Sequence, residues 1–93
     1  MPVHKQRTFD LPDTEVGAAL RAARHRAGLD IRESGEAAGI DWRVLSRIER
    51  GERPCRVTEL VALSEASGVA PVTVLQAALG DERAWAKLTK SRR

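Results

Sequence analysis

Arg43, Ser46, Arg47 and Arg50 recur at the three- and four-residue spacing that places side chains on one face of a helix. With Leu45 and Ile48 taken as the inward side, a rotation of about 100° per residue puts Ser46 and the three arginines in a stripe about 100° wide, opposite the core. None of the arginines has an acidic residue three or four positions away within that helix, so their mutual repulsion, a few tenths of a kcal/mol per pair, has no local relief. Glu49, by contrast, is followed four residues later by Arg53, its expected partner. A guanidinium is a planar fork of donors that fits phosphate oxygens or the edge of a guanine. The chemistry such a stripe can do is the binding of a polyanion.

Bond-making chemistry finds no such support. His4 and His25 have no partner at metal-ligand spacing, and the single Cys55 can form neither an intrachain disulfide nor a cysteine zinc site and reads as structural. Glu33 with Glu36, and Glu49 with Glu52, are carboxylates at helical spacing that capping and solvation explain better than acid–base catalysis. No phosphate-binding glycine loop and no nucleophile–base set is present, so neither an enzyme nor a cofactor is expected. Gly35 and Gly39 match a membrane packing motif only in spacing, because no stretch of 18 apolar residues surrounds them. With no signal-type segment at the N-terminus, a cytoplasmic location is expected.

The charge pattern agrees with an anionic partner in detail more than in total. The net charge is +3, and 13 of the 16 basic residues are arginine. Residues 1–9 carry Lys5 and Arg7, residues 83–93 carry five basic residues and no acid, and residues 10–82 are therefore net −4. Inside that stretch, 21–56 is +3, with nine arginines against six acids, whereas 10–20 and 57–82 are acidic. Basic charge is concentrated in one internal block and two tails.

The elements that must carry these residues are short helices. A chain of 93 residues holds one small domain, and with only Phe9, Trp42 and Trp85 aromatic, its core has to be built from Leu, Val, Ile and Ala. Glycines at 28, 39, 51, 68 and 80 each follow a stretch of helical periodicity and mark helix ends. Starts are marked by Asp13 or Thr14 after Pro12, by Asp30 with Glu33 as a capping box, by Asp41, and by Pro71. Helices are expected near 14–27, 31–38, 42–50, 57–67 and 71–79. The apolar stripes are Val16, Ala19, Leu20, Ala23 and Ala27 in the first, Val57, Leu60, Val61, Leu63 and Ala66 in the fourth, and Val74, Leu75, Ala78 and Leu79 in the fifth. The layout is a flexible arm over 1–12, which Phe9 and Leu11 could pin, an all-α domain over 13–80, and a basic extension over 81–93 whose sequence allows a short sixth helix.

Helices two and three are separated only by Gly39, Ile40 and Asp41, which fits the elbow of a helix-turn-helix over 31–50. Gly35 would let the helices approach, Gly39 would make the turn, and Ile40, Leu45 and Ile48 would anchor it. The run Gly28-Leu29-Asp30, Ala38-Gly39-Ile40-Asp41 and Leu45-Ser46-Arg47-Ile48-Glu49-Arg50-Gly51-Glu52-Arg53 resembles the lambda-repressor-like (Xre/Cro-CI) DNA-binding domains, over about residues 15–79. That resemblance implies a compact five-helix domain that reads the major groove of double-stranded DNA with helix 42–50, as a homodimer on a two-fold operator, in a bacterial or phage transcriptional regulator.

Carried over position by position, the resemblance places base contacts at Trp42, Arg43, Ser46 and Arg47, and phosphate contacts at Arg50, Arg53 and Arg32, with Lys5 and Arg7 available from the arm. The chain departs from the family pattern at Ile31, where Gln is usual, at Ser34, where Leu or Val is usual, and at Trp42. Trp42 could cover the apolar edge of its helix, touch a thymine methyl or sugar, or bind a protein. Val74, Trp85 and Leu88 are assigned to core or dimer packing. Two further readings remain open on the same fold: a protein-binding adaptor acting through Trp42 and the acidic 57–82 region, and the antitoxin of a toxin–antitoxin pair.

Overall fold

The computed structural model describes residues 11–90, which form six helices: α1 (Asp13–Arg26), α2 (Ile31–Ala38), α3 (Trp42–Glu49), α4 (Val57–Ala66), α5 (Pro71–Ala78) and α6 (Glu82–Thr89). Phe9, Lys5 and Arg7 of the expected arm lie outside the described residues, as do Arg92 and Arg93. Leu11 is half-buried and packs against the core.

Local chemistry explains the boundaries. Asp30 accepts from the Glu33 N–H at 2.8 Å while the Glu33 carboxylate accepts from the Asp30 N–H at 2.9 Å, closing the expected capping box of α2. Asp41 caps α3 by accepting from the Arg43 N–H at 2.8 Å. Pro71 occupies the first turn of α5, where its missing N–H costs nothing. The start of α1 differs from expectation. Pro12 holds the cap position with φ −62° and ψ 146°, and its carbonyl accepts from Glu15 at 3.0 Å, so Asp13 and Thr14 are already helical and cap nothing.

Ala19, Leu20 and Ala23 of α1, Leu45 and Ile48 of α3, Leu63 of α4, Val74, Ala77 and Ala78 of α5, and Ala84 and Leu88 of α6 make one buried core. Helix α1 runs through its middle and touches α3, α4, α5 and α6. The sixth helix is integral, since Leu88 is fully buried and α6 packs on both α5 and α1. Val74 and Leu88 are therefore core residues, whereas Trp85 is 38% exposed.

Two expected stripes are only partly inside. In α4, Val57 and Val61 face solvent, and the helix buries Leu63, Ser64 and, just beyond its end, Ser67. In α5, the small Ala77 and Ala78 go inward with Val74, which turns Leu75 and Leu79 outward. Close helix packing around α5 favours alanines at the contact, so residue size does not rank the inward positions there. Ser34, at the departure noted above, is buried and fills a core position without apolar bulk.

Candidate nucleic-acid interface

The α2–α3 elbow is built from backbone contacts that admit little variation. Gly39 adopts φ 72°, a left-handed conformation that side chains disfavour, and the Ile40 N–H returns to the Gly35 carbonyl at 2.8 Å. A Cβ on Gly35 would stand 2.5 Å from the Ile40 carbonyl oxygen and 3.4 Å from the Trp42 Cα, so α2 and the start of α3 meet at glycine contact. Leu45 and Ile48, each 1% exposed, anchor α3 from below.

The far end of α3 is held by α1. Gly17 lies directly beneath the Ile48 and Glu49 carbonyls, and a Cβ there would approach the Glu49 oxygen to 2.6 Å. Beside it, Arg24 Nε donates to Glu49 Oε2 at 2.7 Å and its Nη2 to Oε1 at 2.9 Å, while Nη1 donates to the Leu29 carbonyl at 3.1 Å. Only 11% of the Arg24 side chain and 5% of the Glu49 side chain reach solvent. The hydrogen bond to Glu49 holds the guanidinium more firmly protonated than usual, against the opposing effect of burial. The expected Glu49–Arg53 pair is therefore absent: each has a different, tertiary partner, which spacing along one helix cannot reveal.

Arg53 donates through Nη1 to Glu59 Oε1 at 2.8 Å and through Nη2 to Oε2 at 3.1 Å, and Nη1 also reaches the Pro54 carbonyl at 3.0 Å. Glu59 in turn accepts from the Arg56 N–H at 2.9 Å and so fastens the start of α4. The Arg53 fork holds the Glu59 carboxyl below its ordinary range, with burial opposing. Arg53, expected at a phosphate, is here a brace between the α3–α4 loop and α4, with 21% of its side chain reaching solvent.

What α3 presents outward is the arginine row. Arg43, Arg47 and Arg50 are exposed, and Ser46 is half-buried between them. The row is less bare than its spacing implies. Arg43 lies 3.8 Å from Asp41, and Arg50 lies 3.2 Å from Glu52 while its Nε donates to the Ser46 carbonyl at 3.3 Å. Exposed pairs of this kind are worth about 1 kcal/mol or less, so a phosphate can displace them. Arg47 has no ion pair among the described residues. Arg32, exposed in the first turn of α2, and Arg43 both lie over the half-buried Trp42 ring, with Cζ 4.7 and 5.4 Å from its centroid.

One component escaped sequence reasoning. Arg21 of α1 joins Arg24, Ser46, Glu49 and Arg50 around a cleft of about 240 Å³ between α1 and α3. No local spacing links Arg21 to α3, so only the packing of the two helices exposes the relation. A second groove is lined by Glu15 and Glu82 with Trp85, Ala77 and Gly80. Among the described residues no group of His, Cys, Asp and Glu is arranged to hold a metal ion. No single helix there is long and apolar enough to cross a membrane, and the apolar α4 and α5 are bent 112° apart.

The helix-turn-helix domain family matches residues 15–79. Among solved structures the chain is similar to the clp gene regulator ClgR from Corynebacterium glutamicum. In one crystal structure the identity is 32% and the TM-score 0.72, covering 80% of this chain and 96% of that one. In a second the identity is 31% and the TM-score 0.72, covering 86% and 85%. It also shares its fold with the restriction-modification controller protein C.AhdI from Aeromonas hydrophila, at 24% identity, a TM-score of 0.64, and coverage of 67% of this chain and 94% of that one. No curated protein matches it.

Proposed function

From its membership of the helix-turn-helix domain family, we propose that this chain is a sequence-specific transcriptional regulator that binds double-stranded DNA through α3. The observation that carries the reading is the exposed Arg43–Arg47–Arg50 row on a helix fixed at both ends, at one end by Gly35 and at the other by Gly17 and the Arg24–Glu49 pair. A helix of 8 residues, about 12 Å long, fits a major groove about 12 Å wide and offers its N-terminal turn to base edges. Arg43 and Arg47, with Ser46, are assigned to base edges; Arg50 and Arg32 are assigned to phosphates, with Lys5 and Arg7 as further phosphate contacts from the arm.

One such helix reads few base pairs, so the chain is assigned the role of a homodimer on a two-fold site. The exposed α5 stripe of Val72, Leu75 and Leu79 supports this, because these residues share one helix face and are 57%, 38% and 57% exposed. The acidic groove at Glu15 and Glu82 contains no residue of α2 or α3. The net negative charge of residues 10–82 comes from 10–20 and 57–82, whereas 21–56, which carries α2 and α3, is net +3. The chain acts by binding, without catalysis, in the cytoplasm. Selection of bound sequences from random duplexes by the purified protein tests the reading: recovery of a symmetric consensus supports it, and the absence of salt-sensitive affinity for any duplex refutes it.

A further inference from the structure

Two pairs of arginines among the described residues are held in different ways. Arg24 and Arg53 are each closed on a carboxylate by two short hydrogen bonds and are mostly buried, so much of their donor capacity is engaged inside the domain. Arg32 and Arg43 instead lie over an aromatic ring. A ring face attracts a cation through its quadrupole but accepts little from the N–H groups, which stay in the guanidinium plane and point away from the contact. Such a contact holds an arginine against the ring while leaving its donors for a ligand, and the one carboxylate near this pair, Asp41 at 3.8 Å from Arg43, is an exposed and loosely held partner that a phosphate can displace.

The ring in question is itself well fixed. Trp42 is the first residue of α3, its backbone is held against α2 at the Gly35 contact, and its side chain is half-buried. It sits between Arg32 in the first turn of α2 and Arg43 at the start of α3, and both guanidinium groups lie over its ring. Bringing both cations to one indole raises the repulsion between them, a cost that an anion bound over the pair would remove.

We propose that Trp42 is a positioning residue for DNA recognition: its indole holds Arg32 and Arg43 together, so that the phosphate contact of α2 and the base contact of α3 act as one unit. The proposal rests on the DNA-binding reading above. It assigns Trp42 a role other than direct contact with a base, and it predicts energetic coupling between a residue that touches a phosphate and a residue that reads a base.

The test is a double-mutant cycle on the duplex selected by the wild-type protein, measured beside single base-pair changes and a salt titration. Trp42→Leu should lower affinity for the selected duplex by about two- to thirtyfold, the range of a cation–π contact. It should also flatten discrimination at the base pair that Arg43→Ala affects, while Trp42→Phe, which keeps a ring face, should retain most of both. Arg32→Ala should weaken binding clearly in the wild type and much less in the Trp42→Leu background.

A Trp85→Phe background isolates the emission of Trp42, which should shift on Arg32→Ala without DNA present. This reading stands even if Trp42→Leu does not fold. Additive effects of Arg32→Ala and Trp42→Leu, unchanged discrimination, or an emission indifferent to Arg32 would overturn the proposal. So would a loss in Trp42→Phe, equal to that in Trp42→Leu, at a base pair that Arg43 does not read, because that result means direct contact. If the wild-type protein bound no duplex in a salt-dependent way, the DNA reading itself would fail, and the proposal with it.

Discussion

Arg24→Met should destabilise this domain more than any change on its arginine row. The substitution removes a fork that makes two short hydrogen bonds to Glu49 and a third to the Leu29 carbonyl. It leaves a carboxylate whose side chain is 5% exposed without its cation. Breaking a buried pair from one side costs about 3–5 kcal/mol, because the remaining charge stays desolvated. A domain of this size has about 5–15 kcal/mol in all, and each kcal/mol moves its melting point by about 4–8 °C, so the loss should be on the order of 20 °C. Glu49→Gln should cost less, since the amide oxygen still accepts from Arg24. Arg24→Met combined with Glu49→Leu should recover much of the loss, because no unpaired charge remains. The assay is thermal and urea unfolding followed by circular dichroism, on all three variants in one buffer. A loss below about 1 kcal/mol for Arg24→Met, or a double variant weaker than either single one, would refute the reasoning, since either outcome means the pair is effectively hydrated.

Five further outcomes are expected. Arg47→Ala should cost about 1–3 kcal/mol on the selected duplex and little on random DNA; Arg53→Ala, whose fork is closed on Glu59, should lower the melting point and leave the salt slope of binding nearly unchanged. Glu59 titrates below its ordinary value of 4.5 in the folded chain, so its contribution is complete above that pH and is lost as the pH falls through the lowered value; acid unfolding of Glu59→Gln should lack this component. Burial pushes the Cys55 thiol up to about 11, so at pH 8 a disulfide reagent should label the folded protein about a hundredfold more slowly than the unfolded chain, and equal rates would contradict the burial. Leu75→Glu with Leu79→Glu, both at exposed positions, should keep the helical circular-dichroism spectrum but give a monomer by sedimentation equilibrium with weakened DNA binding.

The parts of this fold that could be read from the sequence are those governed by local backbone chemistry. The helix ends at Gly39 and Gly51, the Asp30–Glu33 box, the Asp41 cap and the inward pair Leu45 and Ile48 all depend on neighbours a few residues away, and the structure reproduces them. The parts that could not be read depend on which helices meet. Glu49 offers a local partner in Arg53, yet folding brings Arg24 from 25 residues away into a drier and better aligned position. Leu75 and Leu79 have the apolar character of core residues, yet Ala77 and Ala78 take the inward face of α5. Gly17 gives no sign in the sequence of the carbonyls it lies under. The same division holds for the interface: the arginine row follows from periodicity, whereas Arg21 and the double contact on Trp42 follow from packing.

The seat of α3 on Gly17 has a thermodynamic consequence. With the Ile48 and Glu49 carbonyls resting on a position that tolerates no side chain, α3 cannot slide or tilt on α1 without opening a gap in the core. Binding energy is then not spent on ordering or reorienting this helix, and any adaptation at the interface falls on the long arginine side chains and on the bending of the duplex. Calorimetry should show this as a heat-capacity change set by the surface covered in the complex, with no added component from folding of the protein on its site. A sequence whose duplex resists deformation would be rejected even where its base edges are correct.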